Sequence, residues 1–177
     1  MNIKTTLIAA VAVAMMSAAS MASAEEATTK TGVYVGTGFS LATSDEDGIE
    51  NQKGFNFNVG YDFGLLRVEG AYDRLSDDDL QSSMFSGMGY FDFDNSSKFT
   101  PFIGAGLGWS DLSDVNAGAN NSDVTYIGSA GASYDLSNKW DLVGQYRYLM
   151  SSTEVLSDTG NTDTDSQIFT VGLRTTF

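Results

Sequence analysis

The chain has no cysteine and no histidine, a single proline, and nine basic residues against 23 acidic ones. Lack of cysteine excludes disulfides, thiol catalysis and cysteine-ligated metals together. Lack of histidine excludes Ser-His-Asp hydrolysis and imidazole-held metals, and leaves only carboxylates, lysine, tyrosine and hydroxyls for proton chemistry. A net charge of −14 makes nucleic acid an unsuitable partner. Beyond the first 24 residues no run is apolar enough for a transmembrane helix, so any membrane insertion must use strands. What is abundant points the same way: 19 glycines, 11 phenylalanines and 8 tyrosines suit strands and tight turns.

The N-terminus reads as an export signal. Lys4 precedes an apolar run from Leu7 to Met16 and a small-residue site, Ala22-Ser23-Ala24, which predicts a secretory signal peptide over residues 1–24, cleaved after Ala24. The run is too short to cross a bilayer, which takes about 20 residues. Residues 25–177 form one domain by length. Loss of Lys4 moves its net charge one unit further negative. With no disulfide, its stability must come from a closed sheet or a well-filled core.

Period-two alternation runs through that domain. At its end, Phe169, Val171, Leu173, Thr175 and Phe177 alternate with Thr170, Gly172, Arg174 and Thr176. The same pattern predicts seven earlier strands, beginning with Val33, Val35, Thr37, Phe39 and Leu41 opposite Gly32, Tyr34, Gly36, Gly38 and Ser40. The second strand presents a row of five, Phe55, Phe57, Val59, Tyr61 and Phe63, which would be untenable in water. Strand four is assigned with Met84, Ser86, Met88, Tyr90 and Asp92 inward, and a one-residue slip would invert it. Connections are expected to alternate long and short, the long ones being Ser44–Lys53, Leu75–Ser83, Asp111–Asp123 and Met150–Ser166. An even strand count keeps both termini on one side, taken as periplasmic.

The aromatics then fall into two belts. Phe39, Phe55, Tyr72, Trp109, Tyr148 and Phe169 lie toward the outer rim, and Tyr61, Phe63, Tyr134, Trp140 and Phe177 toward the inner one. A soluble barrel would bury such residues and keep its outer face polar. The predicted fold is therefore all-β, an eight-stranded antiparallel up-and-down transmembrane β-barrel behind a cleaved signal peptide.

The stretch FTPFIGAGLGWS (Phe99 to Ser110), the segment SYDLSNKWDLVGQYRYL (Ser133 to Leu149) and the terminal GLRTTF resemble the small eight-stranded outer-membrane barrels of Gram-negative bacteria. That group holds the OmpX and Ail type proteins, the opacity-type proteins and the OmpA transmembrane domain. The resemblance spans the domain and implies location in the outer membrane, contact with its lipid and lipopolysaccharide, and recognition of terminal Phe177 by the outer-membrane assembly machinery. Barrel enzymes of this architecture rely on histidine, so no catalytic role, cofactor or metal is expected, and the chain is expected to be a monomer.

Two groups of residues are candidate sites. Arg67, Glu69, Asp73, Asp141, Arg147 and Arg174 point inward and form a prospective lumen charge network, in which either Glu69 or Asp141 could partner Arg174. An interior of eight strands is just wide enough to be filled by side chains, so a paired plug is expected, with a narrow small-solute or ion channel as the alternative. Glycines facing inward on strands one, five and eight should make room for Tyr34, Phe102, Arg147 and Arg174. The long connections are acidic, and Asp45, Asp47, Asp77, Asp78 and Asp79 could hold a hard cation, although no ordered calcium loop is present. The expected function is structural or adhesive: a barrel presenting acidic loops to an unidentified surface ligand.

Overall fold

Eight amphipathic strands have one stable arrangement in which every edge is paired, and that is a ring. The computed structural model describes residues 30–44, 52–76, 80–93, 95, 97–114, 120–151 and 166–177. Its strands are β1 (Gly32–Ser44), β2 (Gln52–Asp62), β3 (Leu66–Ser76), β4 (Leu80–Asp92), β5 (Phe99–Asp114), β6 (Asn120–Asp135), β7 (Trp140–Ser151) and β8 (Ser166–Thr176). Each pairs antiparallel with its neighbours in sequence, and β1 pairs with β8 to close the barrel. At that seam Tyr34 lies opposite Thr176 and Ser44 opposite Ser166.

The alternation read from the sequence sets the two faces. Phe55, Phe57, Val59, Tyr61 and Phe63 are all exposed on the outside, while Asn56 and Asp62 between them are buried. Strand four keeps its assigned phase: Met84, Ser86, Met88, Tyr90 and Asp92 are buried and Phe85 and Phe91 exposed. A solvated protein could not present such a surface, and lipid can cover it.

Turns at the end where β1 begins and β8 finishes are tight. Gly64, at φ +100°, follows β2, and its amide donates to Asp62 Oδ1 at 2.7 Å while Phe63 N–H donates to the Leu66 carbonyl at 2.8 Å. A side chain would strain that backbone. This end is called the terminal end below, and the opposite one the loop end.

Strand ends at the loop end depart from the sequence reading. The sequence pattern puts Leu75 in a connection, yet β3 runs to Ser76 and β4 resumes at Leu80, with Leu75 buried in the lumen. Asp111 and Asp114 lie on β5, and Asp123 on β6. These two strands are 16 residues each, longer than the roughly 9–11 a tilted strand needs to cross a bilayer. Their loop ends carry a polar sequence because a ladder beyond the hydrocarbon needs no oily face, and hydrogen bonding alone extends it.

Candidate functional site

The lumen concentrates the buried charge of the described residues, and the strand registers decide how it is paired. At the terminal end, Asp141 of β7 lies opposite Arg174 of β8. Arg174 Nε and Nη2 each donate to Asp141 Oδ2 at 2.9 Å. Asp141 also lies opposite Asp135 of β6, a like-charge pair that would repel. Lys30, just ahead of β1, resolves it: its ammonium donates to Asp135 at 3.0 Å and to Asp141. Arg174 therefore takes Asp141, and Glu69 is engaged elsewhere.

Beside this cluster, Arg67 forms a two-pronged pair with Asp92, at 2.6 Å from Nε and 2.9 Å from Nη2. Its guanidinium also faces the rings of Tyr90 at 4.7 Å and Phe102 at 4.8 Å, a cation–π arrangement that strengthens as water is excluded. Glu69 accepts hydrogen bonds from Tyr34 Oη at 2.9 Å and Tyr90 Oη at 3.2 Å. Gln145 in turn donates to Tyr90 Oη at 2.7 Å and to Ser129 Oγ at 3.0 Å.

Further toward the loop end, Arg147 of β7 crosses the lumen to Asp73 of β3 at 2.6 and 2.7 Å. Arg147 is 2% exposed and Asp73 0%, so a planar fork-to-carboxylate match is what makes the pair tolerable. Asn56 donates to Asp73 at 2.9 Å, and Arg147 Nη2 donates to Thr170 Oγ1 at 3.3 Å. Apolar side chains flank that pair and continue past it: Met84 lies opposite Asp73 and Ile168 opposite Arg147, and with Leu75 and Ile127 they belong to one buried cluster, with Ala42 and Leu149 packed against it.

Little room is left. A cavity of about 30 Å³ lies among Asn58, Arg67, Glu69, Gln145, Thr170 and Arg174, enough for one or two waters. Of these lining residues, Arg174 and Asn58 each have a buried polar atom, Nη1 and Oδ1, with no protein partner. The glycines that open space differ from those anticipated. A Cβ at Gly60 would strike Tyr34, and one at Gly131 would strike Phe102, while Gly104 and Gly106 on β5 lie against Tyr90 and Met88. No arginine side chain is among the nearest neighbours of any inward glycine.

On the outside, Phe39 and Phe55 pack edge-on at 6.1 Å, and Tyr72 and Phe85 meet at a tilt at 4.6 Å. Trp109 is opposite Phe85 in the next strand. Tyr148 pairs with Gln167, and Phe169 with Leu41, so these rings lie toward the loop end. Tyr61 and Phe63 (4.6 Å), Tyr134, Trp140 and Phe177 lie toward the terminal end. Asp45, Asp47, Asp77, Asp78 and Asp79 lie outside the described residues.

Sequence reasoning left out Asp92, Lys30 and the tyrosines of the network. Asp92 had a usable signal, an acid on the inward phase beside Tyr90. Lys30 had none, since it precedes the alternating pattern.

A family model described as outer membrane protein beta-barrel domain matches residues 8–177. No curated protein sequence matches the chain. Among solved structures it is similar to Neisserial surface protein A, with 23% identity, TM-score 0.67, and 82% of this chain and 97% of that one covered. The N-terminal β-barrel domain of Pseudomonas aeruginosa OprF aligns at 12% identity and TM-score 0.62, over 84% and 100% of the two chains. Ail, the attachment invasion locus protein of Yersinia pestis, in complex with the heparin analogue sucrose octasulfate, aligns at 18% identity and TM-score 0.54, over 84% and 99%. At these identities the likeness is one of fold.

Proposed function

The chain belongs to the outer membrane protein β-barrel family, and on that premise we propose that it is a closed barrel, not a conduit, whose task is to hold acidic loops at the cell surface for adhesion or another surface interaction. The observation that carries this reading is the filled lumen: Arg67–Asp92 and Arg174–Asp141 pair inside it between adjacent strands, Arg147–Asp73 pairs across it, and Leu75, Met84, Ile127 and Ile168 fill it toward the loop end. Ion passage would require breaking desolvated pairs and wetting an apolar layer.

The loop end faces the exterior and the termini face the periplasm in this reading. Supporting it are the tight turns at the terminal end and the acidic stretches at the other, with Lys53 the single base among the long connections assigned from the sequence. Phe177 serves as the assembly signal, and the two aromatic belts sit at the membrane interfaces. The domain is produced by cleavage after Ala24 and acts as a monomer.

The ligand class follows from charge. Ail has been captured with a sulfated heparin analogue, but a surface built from Asp45, Asp47, Asp77, Asp78 and Asp79 repels sulfated glycans and suits cationic partners or divalent ions. The test is a cell-binding comparison between the intact barrel and one whose acidic stretches are replaced by short Gly-Ser turns. Loss of binding with retained folding supports surface presentation, and unchanged binding removes it.

A further inference from the structure

Two polar groups in the lumen remain to be matched. Arg174 and Asn58 line the same cavity of about 30 Å³, and each has one buried atom, Nη1 and Oδ1, without a protein partner. No other residue lining that cavity has such an atom among the described residues. The strand registers place the two on either side of Gly36, which lies opposite Asn58 of β2 along one edge of β1 and opposite Arg174 of β8 along the other. A Cβ at Gly36 would fall 2.4 Å from Asn58 Oδ1, so a glycine there leaves the amide its room.

Which end of the Asn58 amide is free follows from the charge at the far end of its chain of hydrogen bonds. An ionised Asp73 can only accept, so Asn56 must offer it Nδ2, at 2.9 Å, and turn Oδ1 the other way. That oxygen accepts from Asn58 Nδ2 at 2.9 Å, which leaves Asn58 Oδ1 as an acceptor without a donor. Arg174 Nη1 is the reverse, a donor without an acceptor, because Nε and Nη2 are engaged by Asp141.

One ligand suits both atoms. An anion held by Nη1 would face the lone pairs of Asn58 Oδ1 and the Glu69 carboxylate, and a cation held by Oδ1 would face the guanidinium groups of Arg174 and Arg67, all of which line the cavity. Water both accepts and donates, and the volume admits one molecule or two in line. We propose that this cavity is a binding site for resident water, which accepts from Arg174 Nη1 and donates to Asn58 Oδ1. Every donor then points the same way, from Arg174 through water, Asn58 and Asn56 to Asp73, and each bond polarises the next. The water joins the Arg174–Asp141 pair to the Arg147–Asp73 pair as one network, and it offers no ion a seat. The site does not depend on which end of the barrel faces the exterior.

The test is solution NMR of the folded barrel in nanodiscs, reading magnetisation transfer between water and side-chain N–H protons. The wild type should show long-lived water at the Arg174 guanidinium and at the Asn58 amide, unchanged when sodium chloride is replaced by potassium nitrate. Asn58→Leu should lose that signal, and Gly36→Ala should weaken it. Arg174→Met, which leaves Asp141 with Lys30, tests the chain itself. It should shift the side-chain amide resonances of Asn56, although β1 stands between Asn56 and Arg174, and in the Asn58→Leu background the same change should leave them in place. Absence of long-lived water from both groups in the wild type overturns the site, whether or not each variant folds. A response to the salt present assigns the cavity to an ion and overturns the water. Asn56 shifts of equal size in both backgrounds report a direct field effect and overturn the chain.

Discussion

Toward the terminal end the lumen is held by Arg67, Asp92, Arg174, Asp141 and Lys30, whereas toward the loop end the apolar Leu75, Met84, Ile127 and Ile168 share one buried cluster. The Arg147–Asp73 pair sits where the two meet, with Met84 opposite Asp73 and Ile168 opposite Arg147. Both fillings exclude bulk water, but they fail differently. An apolar side chain that is shortened leaves a gap. A buried ion that loses its partner leaves an uncompensated charge, which costs more. The contrast means that the ionic layers fix which strands face each other, because a fork-to-carboxylate pair tolerates little displacement, while the apolar layer seals the loop end without demanding one geometry.

Substitutions that unbalance the two layers test this contrast. Asp73→Ala strands Arg147 in the lumen, and urea unfolding in liposomes should show a loss of about 3–5 kcal/mol. Ile168→Ala should cost about 2–4 kcal/mol by the same measurement. If it costs more than Asp73→Ala, the ionic layer is not the more demanding of the two. Replacing both partners, Arg147→Met with Asp73→Leu, should leave stability within about 2 kcal/mol of wild type, which separates a stranded charge from a lost attraction. The smallest effect is expected for Lys30→Ala, about 1 kcal/mol or less, because Arg174 still compensates Asp141 and only the Asp135–Asp141 repulsion is released.

The same contrast explains what was legible in the sequence. Which way each side chain points was readable, because lipid outside and a packed lumen inside impose strict alternation on Phe55 to Phe63 and on Met84 to Asp92. Height within the barrel was not readable. Two inward residues on different strands meet only if the stagger of the whole ring brings them level, so Glu69 and Asp141 were equal candidates for Arg174 until the β7–β8 register placed Asp141 opposite it. Strand ends were hidden for a further reason. Beyond the membrane nothing enforces an oily face, and Asp111 or Asp123 can sit on a strand as readily as in a loop. Lys30 was invisible because its role comes from folding back onto β6 and β7, far from it in sequence.

The central claim is that these layers close the lumen, and planar-bilayer recording tests it most directly. The account predicts that wild-type protein, inserted from detergent, gives no unitary current above background across applied potentials of either sign. Reproducible single-channel steps from the wild type would contradict it.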